Sequence, residues 1–216
     1  MARTPARRTL ENAFRRAGFV HVAGADEVGR GCLAGPVVAA AVVLDPARAI
    51  DGLADSKLLS AVQRERLNAR VQQDAIAWAV GEVSPDEIDR INIHHASLEA
   101  MRRAVMALVP LPGIVLVDAF QIPHLPMAQR GVVHGDRLCA AIAAASIVAK
   151  VHRDRGMVAL HQQDPRYGFD RHKGYGTPEH LAAVARFGYS AAHRRSFRPA
   201  SLFDTIGETV AGTGTG

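Results

Sequence analysis

Residues 19–44, FVHVAGADEVGRGCLAGPVVAAAVVL, contain two apolar runs that are separated by a glycine-rich break. The runs Phe19–Ala25 and Val37–Leu44 consist largely of β-branched and small apolar residues, and this composition favours β-strands. Three glycines and one proline lie between the runs, and these residue types interrupt regular structure. The stretch therefore predicts a strand, a glycine turn and a second strand, which together form a β-hairpin.

Three further strands are predicted downstream of the hairpin. Ala75–Val83 is one candidate, and Gly131–Val133 is a shorter one. Gly113–Val117 is wholly apolar, which is typical of a central strand that is buried on both faces. Because the hairpin is followed by strands that alternate with helices, the order of the elements predicts an α/β fold with a mixed sheet.

Helix starts are marked by two capping boxes, in which two side chains three residues apart each bond the other residue's backbone N–H. Ser60 with Gln63 and Ser84 with Glu87 have this spacing. A proline at the first helical position supports the second start and a later one, at Thr177-Pro178-Glu179. The predicted helices run from Ser60 to about Gln73, from Ser84 onward, over Ala96–Leu108, from Asp136 to about His161, and from Thr177 to Gly188.

The composition allows one domain with a substantial core and a small appendage, since 48% of the 216 residues are apolar. The formal net charge of +5 favours a polyanionic partner. The charge is uneven, because residues 150–199 contain ten Lys or Arg and only four Asp or Glu. A solvated helix face would have a similar excess, so the basic stretch alone does not establish nucleic-acid binding.

Two isolated cysteines, Cys32 and Cys139, make neither a disulfide framework nor a zinc site, and they are expected in a reducing cytoplasm. The basic N-terminus lacks the apolar segment of a secretory signal. The longest apolar runs, Cys32–Leu44 and Cys139–Ala149, are too short to cross a bilayer as helices. No association with a membrane is therefore expected.

Four carboxylates are candidates for chemistry. Asp26 and Glu27 end the first predicted strand, Asp118 follows the buried apolar strand, and Asp136 begins a predicted helix. Strand ends and helix starts gather at one edge of an α/β sheet, where active sites lie. Adjacent strand residues point to opposite faces, so we expect the glycines to bend the backbone and bring both acids to one site. Clustered carboxylates repel one another unless cations balance them, and oxygen ligands select Mg²⁺ or Mn²⁺.

Each acid also has an ordinary structural interpretation. Asp136 has the position of a helix cap, Asp118 that of a loop-starting residue, and the pair Asp26-Glu27 that of solvated surface acids. Spacing alone does not decide between these interpretations and a metal site.

Three other kinds of site do not match the sequence. A P-loop is excluded because Gly24-x₄-Gly29 is followed by Arg30-Gly31, where the motif requires Lys and Ser or Thr. No Gly-x-Gly-x-x-Gly follows a strand, which argues against a dinucleotide-binding enzyme. The ten histidines include no pair with zincin spacing and a helix-borne glutamate.

A series of motifs over about residues 19–198 resembles ribonuclease HII, the type 2 ribonuclease H family. Each motif alone is moderately specific, whereas the full set in family order is highly specific. The motifs are Gly24-Ala25-Asp26-Glu27-Val28-Gly29-Arg30-Gly31 with Leu33-Ala34-Gly35-Pro36-Val37-Val38, Asp55-Ser56-Lys57, Ile88-Asp89-Arg90-Ile91-Asn92-Ile93, Gly135-Asp136, Ala143-Ala144-Ala145-Ser146-Ile147-Val148-Ala149-Lys150, Arg153-Asp154, His172-Lys173-Gly174-Tyr175-Gly176-Thr177 and His193-Arg194-Arg195-Ser196-Phe197.

The resemblance implies a catalytic site in which Asp26, Glu27, Asp118 and Asp136 bind two divalent ions, Mn²⁺ or Mg²⁺. Asp26, Glu27 and Asp118 are expected as primary ligands, and Asp136 is expected to complete or orient the second metal site. Two such ions are the usual apparatus for phosphodiester hydrolysis.

The resemblance also implies residues that bind the substrate. Gly29-Arg30-Gly31 matches the motif that grips the ribonucleotide at an RNA–DNA junction, largely through its backbone. Glycines allow close approach to a ribose, and only RNA offers a 2′-hydroxyl there. Tyr175 matches the tyrosine that stacks on the following deoxyribose. Positions near the scissile or neighbouring phosphates are matched by Lys57, Ser146 and Lys150.

The implied fold is ribonuclease H-like, with a five-stranded mixed sheet flanked by helices and a small helical C-terminal region. We expect a lead-in over residues 1–18, a catalytic core over 19–160, a basic helical region over 161–205 that closes over the substrate, and a disordered tail over 206–216. The chain is expected to act as a monomer.

The implied activity is that of an endonuclease that hydrolyses the RNA strand of RNA–DNA hybrids. It would also cut on the 5′ side of ribonucleotides in duplex DNA, as in ribonucleotide excision repair, and leave 3′-hydroxyl and 5′-phosphate ends. Its partners would be RNA–DNA hybrids or ribonucleotide-containing DNA.

The chain departs from the family pattern at two places. Ala119-Phe120 follows the third aspartate, where glycine is common, and His134 precedes Gly135-Asp136, where lysine is common. Neither change removes a carboxylate. Two alternatives stay open: a protein that binds hybrids without cutting them, and another nuclease or integrase on the same fold, which would cut DNA that contains no ribonucleotide.

Overall fold

A computed structural model describes residues 6–197 of the chain. Its centre is a five-stranded mixed sheet with the strand order β3-β2-β1-β4-β5. β1 pairs antiparallel with β2 and parallel with β4, while β3 is antiparallel to β2 and β5 is parallel to β4. The strands are β1 (Val22–Val28), β2 (Val37–Leu44), β3 (Ala75–Val83), β4 (Ile114–Asp118) and β5 (Ala128–Val132).

Helices flank both faces of the sheet, as expected for an α/β fold. The predicted fold class, a five-stranded mixed sheet with flanking helices, is confirmed. The helices are α1 (Thr9–Arg16), α2 (Ala61–Asp74), α3 (Pro85–Met106), α4 (Gly135–Leu138), α5 (Ala140–Gln163), α6 (Phe169–His172) and α7 (Pro178–Phe187), with short 3₁₀ turns at Ser56–Leu58 and Pro165–Tyr167.

Alternation along the strands divides the core into two layers. One face of the sheet packs with α5, and the other packs with α3. β2 is buried along its whole length, since its eight residues face a helix layer on each side. Gly24 lets α5 lie directly on β1, because a Cβ there would be 2.2 Å from the Ala141 carbonyl carbon. This close approach positions the N-terminal half of α5 against the end of β1.

Local sequence signals predicted several elements correctly. β2 and β3 have the predicted bounds, and both capping boxes form, with Ser60 and Ser84 accepting from the amides of Gln63 and Glu87. α7 begins after Thr177, as predicted, and the predicted end at Gly188 is also confirmed.

Several predicted boundaries were wrong. β1 extends to Val28 instead of ending at Ala25, and β5 begins three residues earlier than predicted. Two helices were predicted after Ser84, and α3 is accordingly divided by the non-helical residue Asn92, where φ is 63° and ψ is 164°. The long helix predicted from Asp136 is broken at Cys139, whose extended backbone separates α4 from α5. None of these features has a local sequence signal as strong as a capping box.

The C-terminal part of the described chain has its own small hydrophobic cluster. Tyr167, Phe169 and Val184 pack with Met157 of α5 and Ala34 of the segment that precedes β2. The boundary predicted at residue 160 falls inside α5, and the division into a core and a C-terminal region stays a prediction. The predicted tail at 206–216 lies outside the described residues.

None of the helices between residues 6 and 197 combines the length and apolar character that a membrane crossing requires. Cys32 and Cys139 are both buried free thiols, as expected from their isolation in the sequence.

Candidate active site

The acidic residues predicted for the site lie where two central strands end. β1 and β4 run parallel and pair from Val22–Ile114 up to Ala25–Val117. Asp26 and Asp118 are the next residues on the two strands, so parallel pairing brings them to the same edge of the sheet. The register between β1 and β4 therefore determines where these two acids lie.

Asp26 and Glu27 leave β1 in opposite directions, without the predicted bend between them. β1 pairs with β2 residue for residue through Val28, so the alternation of side chains continues across both acids. The expectation that glycines bend Glu27 onto the face of Asp26 was wrong. Both acids lie just beyond the last residue pair of β1 and β4, Ala25 and Val117, so they are at the same end of the strand.

Asp26 is held by a chain of hydroxyl groups on the α5 side of the sheet. The Ser146 hydroxyl of α5 donates to the Asp26 carboxylate. The Ser56 and Ser146 oxygens are 2.9 Å apart, so Ser56 is the donor when Ser146 donates to Asp26. Ser146 is thus a buried neighbour of Asp26, and its predicted contact with a substrate phosphate stays a prediction.

Glu27 is nearly covered, with 10% of its side chain exposed. Its Oε1 atom is 3.4 Å from a guanidinium nitrogen of Arg30, while its Oε2 atom is buried and has no hydrogen-bond partner. The Glu27 amide donates to Asp26 at 2.8 Å. A buried carboxylate oxygen without a donor is costly, and a cation would remove that cost.

Asp118 and Asp136 are linked by the turn before α4. The Gly135 amide donates to Asp118 Oδ1 at 2.8 Å. His134 precedes α4 in a left-handed conformation with φ of 56°, and it makes no side-chain cap. Asp136 is inside α4, so the ordinary interpretation of Asp136 as a helix cap is wrong.

Burial, together with repulsion between neighbouring acids, raises the pKa of three of these carboxyl groups. Burial and the neighbouring charge of Glu27 raise the pKa of Asp26 well above its usual range. Burial likewise raises the pKa of Glu27, although Arg30 opposes the shift. Burial, followed by Asp55 and Asp118, raises the pKa of Asp136.

The atoms that could bind a metal here are all carboxylate oxygens, and such ligands fit a divalent cation such as Mg²⁺ or Mn²⁺. Within residues 6–197, no three acidic, histidine or cysteine side chains already surround one point closely enough to bind an ion. The candidate ligands therefore lie near one another without forming a coordination shell. One oxygen of Asp26 and one of Asp118 accept from backbone amides instead.

The Gly29-Arg30-Gly31 loop follows β1 directly. Gly29 has φ of +91°, and a Cβ there would be 2.2 Å from Nε of Arg153. Gly31 is exposed, and a Cβ there would meet no atom within 4 Å beyond its chain neighbours. The two glycines therefore have different roles, because Gly29 is required by the fold whereas Gly31 leaves an open surface.

Two buried arginines donate hydrogen bonds to the backbone of this loop and of the segments next to it. Arg194 donates to the carbonyl oxygens of Gly29, Arg30 and Gly35 at 2.7–3.0 Å. Arg153 donates to three other carbonyls at 2.9–3.0 Å, those of Ala34, Pro36 and Lys173. Both side chains are at most 1% exposed.

Sequence reasoning did not predict roles for Arg153 and Arg194, although both belong to the motifs that carry the resemblance. Each of these buried arginines donates to three carbonyl oxygens instead of to water. Asp89 of α3 completes the support, because its carboxylate accepts from the amides of Arg195 and Ser196 at 2.8 and 2.9 Å. No spacing rule connects these residues, so only their motif membership could have identified them.

The other predicted substrate residues have different surroundings. Tyr175 is 42% exposed and forms a β-bridge with Cys32, just after the glycine loop. Lys150 Nζ is 6.0 Å from the Tyr175 ring centre and pairs with Asp154 at 2.7 Å. Lys57 is exposed and acts electrostatically on Asp136.

The departure at Ala119-Phe120 has a structural consequence. Ala119 has φ of 58°, in the left-handed region that favours glycine. Phe120 packs under the Arg30 guanidinium, with 4.9 Å from Cζ to the ring centre. The chain thus accepts backbone strain at Ala119 and gains a stacking partner for Arg30.

The amino-acid sequence matches the family described as Ribonuclease HII over residues 23–200. The chain belongs to the ribonuclease HII family. Ribonuclease HII from Azoarcus sp. (strain BH72) is 57% identical over 178 residues, which are 82% of this chain and 87% of that protein. Ribonuclease HII from Burkholderia pseudomallei (strain 1710b) is 55% identical over 86% of this chain and 87% of its own length.

Solved structures show the same fold. The crystal structure of the ribonuclease H2 from Pyrococcus horikoshii OT3 superposes with a TM-score of 0.73 at 25% identity, covering 89% of this chain and 100% of that chain. A Bst-RNase HIII in complex with Mn²⁺ has a TM-score of 0.70 at 19% identity and covers 91% of this chain and 72% of its own, which supports the fold alone.

Membership in ribonuclease HII makes this chain a hydrolase, an endoribonuclease that acts on RNA–DNA hybrids. The family depends on divalent metal ions. The ribonuclease HII motifs thus coincide with the acidic site at the ends of β1 and β4.

Proposed function

We propose that this chain hydrolyses the RNA strand of RNA–DNA hybrids and cuts on the 5′ side of ribonucleotides embedded in duplex DNA. The products would be 3′-hydroxyl and 5′-phosphate ends. The observation that carries the proposal is that the acids and the Gly29–Gly31 loop adjoin at the same end of β1. Phosphodiester cleavage and recognition of the 2′-hydroxyl would therefore take place at the same nucleotide.

Asp26, Glu27, Asp118 and Asp136 would hold two divalent ions, Mn²⁺ or Mg²⁺. When bound, such ions supply an activated water and stabilise the leaving oxyanion. The protein keeps the acids in place beforehand, since the Ser146 hydroxyl orients Asp26. The unpartnered Oε2 atom of Glu27 supports a role as ligand.

Substrate contacts would surround this centre. Gly31 leaves room for a ribose, and the Tyr175 ring is exposed for stacking on the next sugar. Lys57 and Lys150 would contact neighbouring phosphates. The basic region at 161–205 would close over the duplex. We also propose that the chain acts as a monomer in the cytoplasm, and its buried free thiols are consistent with a reducing compartment.

The decisive experiment is cleavage of a DNA duplex that contains one ribonucleotide, with Mg²⁺, with Mn²⁺ and with a chelator. We expect metal-dependent cutting on the 5′ side of the ribonucleotide and none of an all-DNA duplex. Asp136→Asn should lower the cleavage rate on the order of 10²-fold or more, because a ligand charge at the reacting phosphate is lost, while duplex binding is retained.

Asp51→Asn is the matched control, since Asp51 is an exposed acid in a turn outside the site. It should leave both binding and cleavage unchanged. Binding without cutting under any metal would instead support a non-catalytic hybrid binder. Cutting of the all-DNA duplex would support another nuclease, and full activity of Asp136→Asn would exclude Asp136 from the site.

A further inference from the structure

The segment after the glycine loop is enclosed by two strands of backbone from the C-terminal part of the chain. Cys32 forms a β-bridge with Tyr175 on one side, and Ala34 forms one with His193 on the other. Tyr175 is therefore attached beside the Gly29–Gly31 loop by its own bridge, and a link to the His193 segment is a second constraint on its position.

Histidine side chains provide that connection. The Ser190 amide donates to Nδ1 of His193 at 3.0 Å, and the Nε2 atoms of His193 and His180 are 3.0 Å apart. Nδ1 of His180 is 2.9 Å from the Tyr175 carbonyl oxygen. His180 and His193 are 0% and 1% exposed, so water cannot replace any of these partners.

The partners determine which nitrogen of each ring has the hydrogen. A backbone amide only donates, so Nδ1 of His193 is bare and its hydrogen is on Nε2. That hydrogen is donated to Nε2 of His180, which must also be bare. The hydrogen of His180 is then on Nδ1, where the carbonyl of Tyr175 accepts it. In each hydrogen bond of this chain, the donor is on the Ser190 side and the acceptor is on the Tyr175 side.

A third histidine is satisfied separately. His172 accepts from the Gly174 amide at Nδ1, and its Nε2 lies 2.6 Å from the Tyr167 carbonyl oxygen. Its ring stacks on His180 at 4.4 Å between ring centres. A turn of His180 that exchanged its two nitrogens would break this stacking.

We propose that His193 and His180 form a directional relay of neutral imidazoles that positions Tyr175 beside the Gly29–Gly31 loop. The role of Tyr175 in binding the substrate rests on the proposed function. An added proton on His180 would make two N–H groups face each other at 3.0 Å. Burial accordingly lowers the pKa of both histidines, that of His193 to about 4. His193 and His180 are thus positioning residues, since neither has to touch the substrate.

The relay is tested directly by the ¹⁵N shifts of the histidine rings in the full-length protein near neutral pH. We expect His193 as the Nε2–H tautomer and His180 as the Nδ1–H tautomer, with the His193 Nε2–H exchanging slowly with solvent. A cationic ring, or the opposite tautomer on either residue, would overturn the relay. This measurement requires no substrate and no metal, so it stands even if the proposed cleavage activity fails.

Positioning is tested by two variants that retain different halves of the relay. His180→Asn keeps a donor for the Tyr175 carbonyl, whereas His180→Gln keeps a partner for His193 and loses that donor. We expect His180→Gln to raise KM for a single-ribonucleotide duplex about tenfold, the effect of one lost hydrogen bond, with kcat less affected. His180→Asn should have a smaller effect. His152→Gln, an exposed histidine on α5, is the control and should not change KM.

A double-mutant cycle separates positioning from general destabilisation. In a Tyr175→Ala background, His180→Gln should have no further effect on KM, because the residue that it positions is gone. Independent, multiplicative effects of Tyr175→Ala and His180→Gln would overturn the positioning role. Absence of metal-dependent cleavage in the wild type would contradict the proposed function and would leave the tautomer result to decide the relay.

Discussion

At the residue scale, the same residue type has different roles that depend on what surrounds it. Gly29 and Gly31 are two positions apart in one motif, and both were predicted to approach the substrate. Gly29 is buried above Arg153 with a positive φ, while Gly31 is exposed with open space around it. The motif therefore combines a residue that the fold requires with one that the substrate would require.

A pair of alanine substitutions distinguishes these two roles. Gly29→Ala should destabilise the fold by about 2 kcal/mol or more, since it combines a positive φ with a clash against a buried guanidinium. Gly31→Ala should change stability by less than about 0.5 kcal/mol, yet it should raise KM for ribonucleotide-containing duplexes.

Thermal or urea unfolding with parallel cleavage assays would check both outcomes. If Gly31→Ala cuts with an unchanged KM, the loop does not approach the ribose at that position. If Gly29→Ala has wild-type stability, then Arg153 can move aside at little cost and the loop is less constrained than the geometry implies.

At the element scale, the loop after β1 is shaped by elements far from it in sequence. Arg194 follows α7 and Arg153 lies on α5, yet together they donate to six carbonyls in and around the loop. An arginine fork satisfies several acceptors in one plane, which a lysine ammonium cannot do. The loop conformation is therefore a property of α5 and the C-terminal segment as much as of the loop itself.

Arg194→Lys should show this dependence. One ammonium cannot reach all three carbonyls that Arg194 holds, so at least one buried acceptor is left without a donor. We expect a loss of about 1–3 kcal/mol of stability, together with a raised KM for the substrate. Urea unfolding and steady-state cleavage provide the two measurements.

Arg195→Lys is the matched control, because the neighbouring Arg195 is exposed and only its backbone amide bonds to Asp89. It should behave like the wild type. Equal effects of the two substitutions would show that the fork geometry of Arg194 is not what stabilises the loop, since both variants keep the positive charge.

At the scale of the whole molecule, the stability contributions of the buried acids and of a buried histidine depend on pH with opposite signs. Burial raises the pKa of the site acids Asp26 and Glu27, so their contribution to stability is present at low pH and is lost as pH rises. Burial lowers the pKa of His193 to about 4, so its contribution is complete above the ordinary value of 6.5 and is lost as pH falls toward 4.

The histidine part can be isolated by comparing the wild type with His193→Gln. Between pH 7 and pH 4 the wild type should lose about 3 kcal/mol through His193, given the shift from 6.5 to about 4. The variant lacks this titration, so the stability advantage of the wild type should narrow on acidification. Urea unfolding at several pH values with a chelator present measures the difference, and a constant gap would contradict the assignment.

Local signals in the sequence determined the elements whose stability is local. β2 and β3 were predicted residue by residue because alternating or continuous apolar runs specify strands. The capping boxes at Ser60 and Ser84 formed because their partners are only three residues away. The motifs also predicted the family, and the four candidate acids lie in one region at the ends of β1 and β4.

Only the tertiary structure decided how those acids and their support are arranged. The break at Cys139, the left-handed His134 and the straight course of β1 past Glu27 all depend on packing against α5 and on strand pairing. Arg153 bonds to carbonyls 20 to 119 positions away, and the rings of His180 and His193 meet across 13 positions. Hydrogen bonds to such distant groups follow from burial, which removes water as the alternative partner, and no local pattern in the sequence records them.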